Sequence, residues 1–304
     1  MSSVYSKYYQ VAGITIKIKS DFPIGHQTFH PKFKEFEAER KNDCAVKIYH
    51  HFSTTSFRKE ILTEENMVHK QFSWEIYRDN TDWYYKFIPS TPTDPKRTVY
   101  AVFNENHSIG NIYTDDIDEK AYSTGQFESL MLFNTDKALL SKLMSDRDGG
   151  LLHCNGIETA EGCLLLTGPS GAGKTTLSTI LSNNGYGFIG DDVMIISRQN
   201  NAFHAHGLWC HGSQPVTVPG SFPLKAIFFL EHHTGNTITL LSSSQDRVYP
   251  LLSAFVKPVL SKAGWKQSFD FLESVIRSVP CYRVQFDLSG DIVNSIKKIW
   301  RPSK

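Results

Sequence analysis

From Val11 to about Tyr113 apolar and polar residues alternate with period two. Ile14, Ile16 and Ile18 point to one side while Thr15, Lys17 and Lys19 point to the other, the pattern of a half-buried strand. The runs Trp74 to Tyr77, Trp83 to Ile88 and Thr98 to Phe103 repeat it. The turn-prone clusters Asp79-Asn80-Thr81-Asp82 and Asn104-Glu105-Asn106-His107 separate these runs as hairpin connections do. The alternation predicts a mostly antiparallel N-terminal sheet.

Between Gln126 and Met144 the chain is dense in Leu, Met and Phe without alternation. This predicts a helix that ends at Asp146-Arg147-Asp148-Gly149-Gly150. A domain joint is expected there, with a β-rich domain over residues 1–145 and a second domain over 146–304. Beyond the joint, Gly162 to Thr167 is an apolar run bounded by glycine, and Leu177, Ile180 and Leu181 follow at helical spacing, so strand, glycine loop and helix succeed one another directly. A second buried strand is expected from Gly187 to Ile196 and a third from Ala226 to Leu230. Val248, Leu251, Leu252 and Phe255 fall at i, i+3, i+4 and i+7, with Pro250 expected near the helix start, where its missing N–H costs least. Phe269, Leu272 and Ile276 mark a further helix, Tyr282, Val284 and Phe286 a strand, and Ile292, Ile296 and Ile299 a closing amphipathic helix. The C-terminal half reads as α/β and the whole chain as α+β.

Composition narrows the function. With 304 residues, 40% of them hydrophobic and 21% charged, the chain can bury a globular core. A formal net charge of +1 removes the electrostatic case for a nucleic-acid partner. Cys44, Cys154, Cys163, Cys210 and Cys281 form no CxxC pair, which indicates neither a disulfide framework nor a four-cysteine zinc site. The start Met1-Ser2-Ser3-Val4-Tyr5 lacks a secretory signal, and no apolar run is long enough to cross a bilayer. A cytoplasmic protein without a membrane partner is expected.

Gly168-Pro169-Ser170-Gly171-Ala172-Gly173-Lys174-Thr175 satisfies GxxxxGK[ST] at every fixed position. Its context gives the match chemical meaning. A loop that leaves an apolar strand and enters a helix points backbone N–H groups and the positive helix end into one concavity suited to phosphate. Lys174 would reach the β- and γ-phosphates of ATP, and the Thr175 hydroxyl would join the coordination of Mg²⁺. Seventeen residues beyond Lys174, Asp191 and Asp192 lie between Phe188-Ile189-Gly190 and Val193-Met194-Ile195-Ile196. Adjacent carboxylates among apolar strand residues call for a cation or hydrogen bonds. One Asp can hold the metal while the other accepts the proton of an attacking hydroxyl. His153, fifteen residues before Gly168, is a catalytic candidate whose plainer reading is a hydrogen-bonded core histidine.

Taken together, His153, Gly168 to Thr175, and Gly190-Asp191-Asp192 resemble the HPr kinase/phosphorylase superfamily. The resemblance is closest to its smaller relatives in peptide-maturation gene clusters, such as lasso-peptide serine kinases, and covers roughly Gly149 to Leu288. It implies a nucleotide-binding core of the HPr kinase/phosphoenolpyruvate carboxykinase type. His153 would then be the active-site histidine, Lys174 the phosphate lysine, Thr175 the metal-binding hydroxyl, and Asp191 with Asp192 the metal and base carboxylates; either acid can face the metal, and Asp192 is taken as the base. Thr176, at the end of the nucleotide loop, stands where true HPr kinases have Glu, and their HPr-docking and phosphorylase segments are not recognisable here. The resemblance therefore points away from HPr as the acceptor. HPr kinases assemble as rings, so it also admits a homo-oligomer. Gly168 to Ser178 and Ile189 to Asp192 look more distantly like ATP-dependent phosphoenolpyruvate carboxykinase, a larger enzyme.

Fainter signals remain. His204, His206, Cys210 and His211 are metal-ligand types, but their spacing fits a loop near the site better than a zinc module. His211-Gly212-Ser213-Gln214-Pro215 is a candidate substrate-side loop, and Lys225 and Arg247 are candidate second cations for the transferring phosphoryl group. Two functions compete. One is an ATP-dependent kinase acting on a hydroxyl of a peptide, a protein or a small molecule. The other is a nucleotide-binding regulatory ATPase without an acceptor; a nucleic-acid ATPase is disfavoured by charge.

Overall fold

A computed structural model describes residues 5–40, 43–71, 73–88, 97–210, 212, 217–233, 235–257 and 262–303. The chain divides into two compact units, residues 1–139 and 140–304.

The first unit is an eight-stranded sheet built from β1 (Ser6–Val11), β2 (Ile14–Ser20), β3 (Val46–His51), β4 (Met67–Gln71), β5 (Trp74–Asp79), β6 (Asp82–Phe87), β7 (Val99–Phe103) and β8 (Ile109–Tyr113). Its order is β1-β2-β3-β8-β7-β6-β5-β4. The hairpins fall where the turn clusters predict them: Asp79 pairs with Asp82 across Asn80-Thr81, and Asn80 adopts φ +54°. Ile14, Ile16 and Ile18 are all buried. The sheet is mixed, because β3 runs parallel to both β2 and β8. These pairings join distant segments, so no local alternation announces them. The opposite face carries a smaller cluster of Phe57, Ile61, Tyr77 and Tyr84.

Two helices follow, α1 (Glu119–Thr124) and α2 (Asp136–Ser145). The helix expected from Gln126 to Met144 is therefore much shorter. The Asp136 carboxylate explains the late start: Oδ1 accepts the Ser129 hydroxyl at 2.6 Å and Oδ2 accepts the Leu130 N–H at 3.1 Å. This folds the segment before α2 into a tight turn, with Leu132 at φ +60°, so that Leu130, Met131 and Leu132 bury their side chains outside any helix.

The second unit is a mixed sheet of β9 (Gly149–Leu152), β10 (Cys154–Thr159), β11 (Gly162–Thr167), β12 (Gly187–Gly190), β13 (Met194–Gln199), β14 (Ala202–His206), β15 (Phe222–His232), β16 (Thr237–Leu240) and β17 (Cys281–Phe286). The main path is β12-β10-β11-β15-β14-β13-β9, with β17 pairing both β15 and β16. Helices α3 (Lys174–Ser182), α4 (Ser244–Ala254), α5 (Lys262–Ser278) and α6 (Ile292–Lys297) cover its faces. Strand alternation sorts the layers. Leu165, Ile227 and Met194 pack with Leu251, Phe271, Leu272 and Val275 of α4 and α5. Leu164, Leu166 and Phe228 pack with Leu177 and Leu181 of α3 and with Ile292 and Ile296 of α6. The architecture is α/β with a doubly covered central sheet, which accounts for the nearly continuous apolar run of β11.

Three expectations are corrected. The segment Gly187 to Ile196 is two strands, β12 at one end of the strand order and β13 next to last at the other. A break at Asp191-Asp192 separates them, and burial on both sides of the break hides it from the apolar pattern. Pro250 sits inside α4. Ile299 lies past the end of α6 and is half exposed.

The first unit also buries an ionisable side chain. His50 is inaccessible to solvent, with Nδ1 2.9 Å from the Tyr122 hydroxyl and Nε2 2.9 Å from the Leu130 carbonyl. A carbonyl only accepts, so Nε2 carries the hydrogen and Nδ1 accepts from Tyr122. Burial lowers the His50 pKa to about 4. The unfolded chain therefore binds the extra proton from about pH 6.5 down, and stability falls as pH drops from there toward 4. Complete loss of this contribution is on the order of 3 kcal/mol. Urea unfolding of the wild type should weaken between pH 7 and pH 5, and His50→Gln, which cannot titrate, should flatten that dependence.

Candidate functional site

Three strand ends meet at one edge of the second sheet. β11 ends at Thr167 and passes into the glycine loop. β10 is antiparallel to it, with Cys154 opposite Thr167, so His153, just before β10, arrives at the same edge. β12 is antiparallel to β10, with Gly190 opposite Gly156, so Asp191 and Asp192 emerge there too. The Asp pair is thus not on the strand beside β11, because β10 intervenes. Carboxyl ends of strands in α/β sheets are where such folds place ligand crevices.

The loop has the conformation its glycines were chosen for. Gly171 and Gly173 adopt φ +80° and +89°, and Gly173 caps the N-terminus of α3. The Ala172 N–H donates to the Pro169 carbonyl at 3.1 Å. The Lys174 ammonium folds back onto the loop, with Nζ donating to Gly168 O at 2.8 Å and to Pro169 O at 3.4 Å. Leu177 N–H donates to Gly173 O at 2.8 Å, which starts α3 without a side-chain cap.

The Asp pair occupies a strained turn. The Val193 N–H donates to the Asp191 carbonyl two residues back at 3.0 Å, and Asp192 between them has φ +76°. That is a γ-turn of the left-handed kind, costly for a residue with a Cβ. β10 holds the turn from beneath, since the Cys154 N–H donates to Asp192 O at 3.1 Å. The Asp191 side chain is buried. The Asp192 carboxylate is more open and lies 3.1 Å from His153, Oδ1 to Nδ1. A carboxylate accepts, so His153 donates from Nδ1 and presents Nε2 away from the pair.

These groups line one cleft of about 400 Å³, formed by His153, Asn155, the loop from Ser170 to Thr176, Asp191, Asp192 and Gly212. Of the expected nucleotide-loop residues, Gly168 and Pro169 are not among the lining residues, and their carbonyls accept from Lys174. The backbone at Gly212 closes on the acids, because a Cβ there would stand 2.9 Å from Asp191 Oδ2. The remainder of the candidate acceptor loop, His211 and Ser213 to Pro215, lies outside the described residues. Asn155 was not foreseen. It is a fully buried polar side chain in a strand, and a lone amide within an apolar run is the signal that could have revealed it.

Other candidates do not reach the cleft. Lys225 is near the start of β15, whose Leu224 pairs with Cys163, whereas the loop follows Thr167 opposite Phe229. Four residues of strand, roughly 13 Å, separate them. The Arg247 guanidinium is tied to the carbonyls of Leu241, Ile276 and Ser242. His206 is buried, with Nε2 on the Ser197 hydroxyl and Nδ1 on Gly220 O, and burial lowers its pKa to about 4. Among the described residues no group of three or more His, Cys, Asp or Glu could hold a metal by protein ligands alone. Burial also pushes the Cys154 thiol well up, as for a thiol packed in the core.

Chemically, the cleft offers backbone N–H groups and a helix N-terminus for an anion, one ammonium, a hydroxyl and two carboxylates as hard oxygen donors, and a His–Asp pair. Fold and cleft define an α/β protein with a glycine loop at the end of a buried central strand. Residues 123–301 match the family described as SynChlorMet cassette protein ScmC, and the chain belongs to that family. Among solved structures, the Hpr(Ser) kinase/phosphatase from Coxiella burnetii is a distant likeness, with 12% identity, a TM-score of 0.28, and 49% of this chain and 96% of that chain covered. A search of curated proteins returns no match. None of the described helices is long and apolar enough to cross a membrane.

The two loop glycines should respond unequally to a methyl group. At Gly171 a Cβ meets nothing within 4 Å, whereas at Gly173 it stands 2.7 Å from Phe286 Cζ. Gly171→Ala should cost about 1 kcal/mol for its backbone conformation alone. Gly173→Ala should cost about 2–4 kcal/mol by adding a clash. Urea denaturation of both variants measures the difference.

Proposed function

We propose that this protein is an ATP-dependent kinase that transfers the γ-phosphate to a hydroxyl group of a peptide, a protein or a small molecule. The observation that carries the reading is the convergence of the Ser170 to Thr176 loop, His153, Asp191 and Asp192 on a single cleft. The sequence resemblance of these segments to HPr kinase relatives supports the same chemistry.

The residues fit the group the chemistry needs. Mg²⁺ takes oxygen ligands and is ordinarily held by one or two carboxylates together with substrate phosphates. Asp191 and Thr175, both on the cleft, carry such donors. Bound Mg²⁺ would neutralise charge on the β- and γ-phosphates.

The chain's own groups then divide the work. The N–H groups of the loop and the N-terminus of α3 receive the phosphates. Lys174 Nζ leaves the carbonyls of Gly168 and Pro169 for phosphate oxygen. Asp192 accepts the proton of the acceptor hydroxyl on Oδ2, while Oδ1 stays bonded to His153 Nδ1–H. His153 thus holds the base in one orientation through its Nδ1–H. The open side of the cleft admits a hydroxyl presented on a larger molecule. Since the family is described as a cassette protein, peptides and proteins encoded beside it are the first acceptors to test.

Asp192→Asn should lower transfer from labelled ATP by roughly 10²–10⁴-fold while ATP affinity stays within about threefold. Lys174→Met should weaken ATP binding itself by about tenfold or more. Equal turnover in Asp192→Asn would remove the proposed base. ATP hydrolysis by the wild type with no phosphorylated product across acceptor pools would favour a regulatory ATPase instead.

A further inference from the structure

Asn155 occupies a position that strand alternation assigns to an apolar side chain. Its neighbours on the same face of β10 and β11, Ile157, Leu164 and Leu166, all pack against α3. Asn155 is fully buried among them, and a buried amide is destabilising unless its polar atoms are satisfied. Both ends are. Nδ2 donates to the Ser178 hydroxyl on α3 at 3.1 Å, and Oδ1 accepts the N–H of Asp192 at 3.3 Å. Ser178 in turn donates to the Lys174 carbonyl at 2.8 Å.

The amide therefore spans the two halves of the site. One hand holds the first turn of α3 beneath Lys174, and the other holds the main chain where Asp192 is forced to φ +76°. That conformation persists only where surrounding structure over-determines it. The Cys154 N–H fixes the Asp192 carbonyl and Asn155 fixes its N–H, so the peptide groups on both sides of the strained residue are pinned from β10.

We infer that Asn155 is a positioning residue that sets the Asp191-Asp192 turn against the nucleotide loop, so that a divalent cation brought by the nucleotide finds the Asp191 carboxylate already in place. The inference rests on the nucleotide reading above. Asn155 itself supplies no metal ligand and no proton. Its effect on binding appears in how strongly Mg²⁺ improves nucleotide affinity, because binding without the metal does not depend on where the acids stand.

The test is calorimetric titration of the full chain with ATP, once in EDTA and once in excess Mg²⁺, for wild type, Asn155→Ala and Ser178→Ala. Far-UV circular dichroism and thermal midpoints establish that each variant is folded. In Asn155→Ala the ATP affinity in EDTA should stay within about twofold, while the strengthening by Mg²⁺ should shrink by about tenfold, the usual effect of removing a group that orients a metal ligand. Ser178→Ala, which releases one of the amide's two anchors, should shrink it by roughly threefold. A merely structural loss would weaken both titrations alike and leave their ratio unchanged. A wild-type ratio in folded Asn155→Ala overturns the assignment. Where that variant does not fold, the same result in Ser178→Ala overturns it. Failure of the wild type to bind ATP with or without Mg²⁺ overturns the nucleotide reading instead, and the inference with it.

Discussion

The register of β10 between β11 and β12 governs the site. With Cys154 opposite Thr167 and Gly156 opposite Gly190, one short strand brings the histidine, the glycine loop and the acidic turn to the same sheet edge. A shift of that register by a single residue would reverse every side chain of β10. Asn155 would then face the α4–α5 layer and Cys154 the α3 layer, and the hydrogen bonds from β10 to Asp192 would be lost together. Two apolar layers, one on each face, make such a slip expensive. The catalytic-type geometry is thus secured by ordinary core packing rather than by the site's own polar contacts.

That security matters because the site carries unfavourable features. A carboxylate at Asp191 is buried, a second sits at a left-handed backbone position, and the two are adjacent in the chain. Strain at one such residue costs of order 1–3 kcal/mol, and burial of a charge costs more unless it is compensated. The surrounding sheet tolerates this because the turn is short and bounded on both sides by strands that pair independently, β12 with β10 and β13 with β9 and β14. The chain passes from the end strand β12 to β13, five places along the strand order, in a few residues, and the acids are where it crosses.

Much of this was legible in the sequence, for reasons specific to each segment. Ile14, Ile16 and Ile18 alternate because one face of β2 is buried, and Gly168 to Thr175 is readable because a glycine loop must be written with particular residues. The break at Asp191-Asp192 was not readable as a break. Phe188-Ile189 and Val193 to Ile196 are apolar on both sides, and periodicity cannot tell one buried strand from two. The parallel pairing of β2, β3 and β8 was silent because it joins segments far apart in the chain. Lys225 was misplaced because spacing does not say at which end of a strand a residue lies. Asn155 was passed over because one amide beside a cysteine looks like noise until its partners, Ser178 and Asp192, are known.

Lys174 shows how the loop and the chemistry constrain each other. Its ammonium donates to the carbonyls of Gly168 and Pro169, so the cation suited to an incoming phosphate also ties the start of the loop to the start of α3. An anion docking there gains the ammonium only by taking it from those carbonyls, and a charge-assisted hydrogen bond is worth about 1.5–3 kcal/mol. The net attraction from Lys174 is accordingly much smaller than its full charge suggests. What remains must come from the loop N–H groups and the α3 terminus, which are already oriented and lose little freedom on binding. On the proposed kinase reading, the loop would exchange raw affinity for preorganisation.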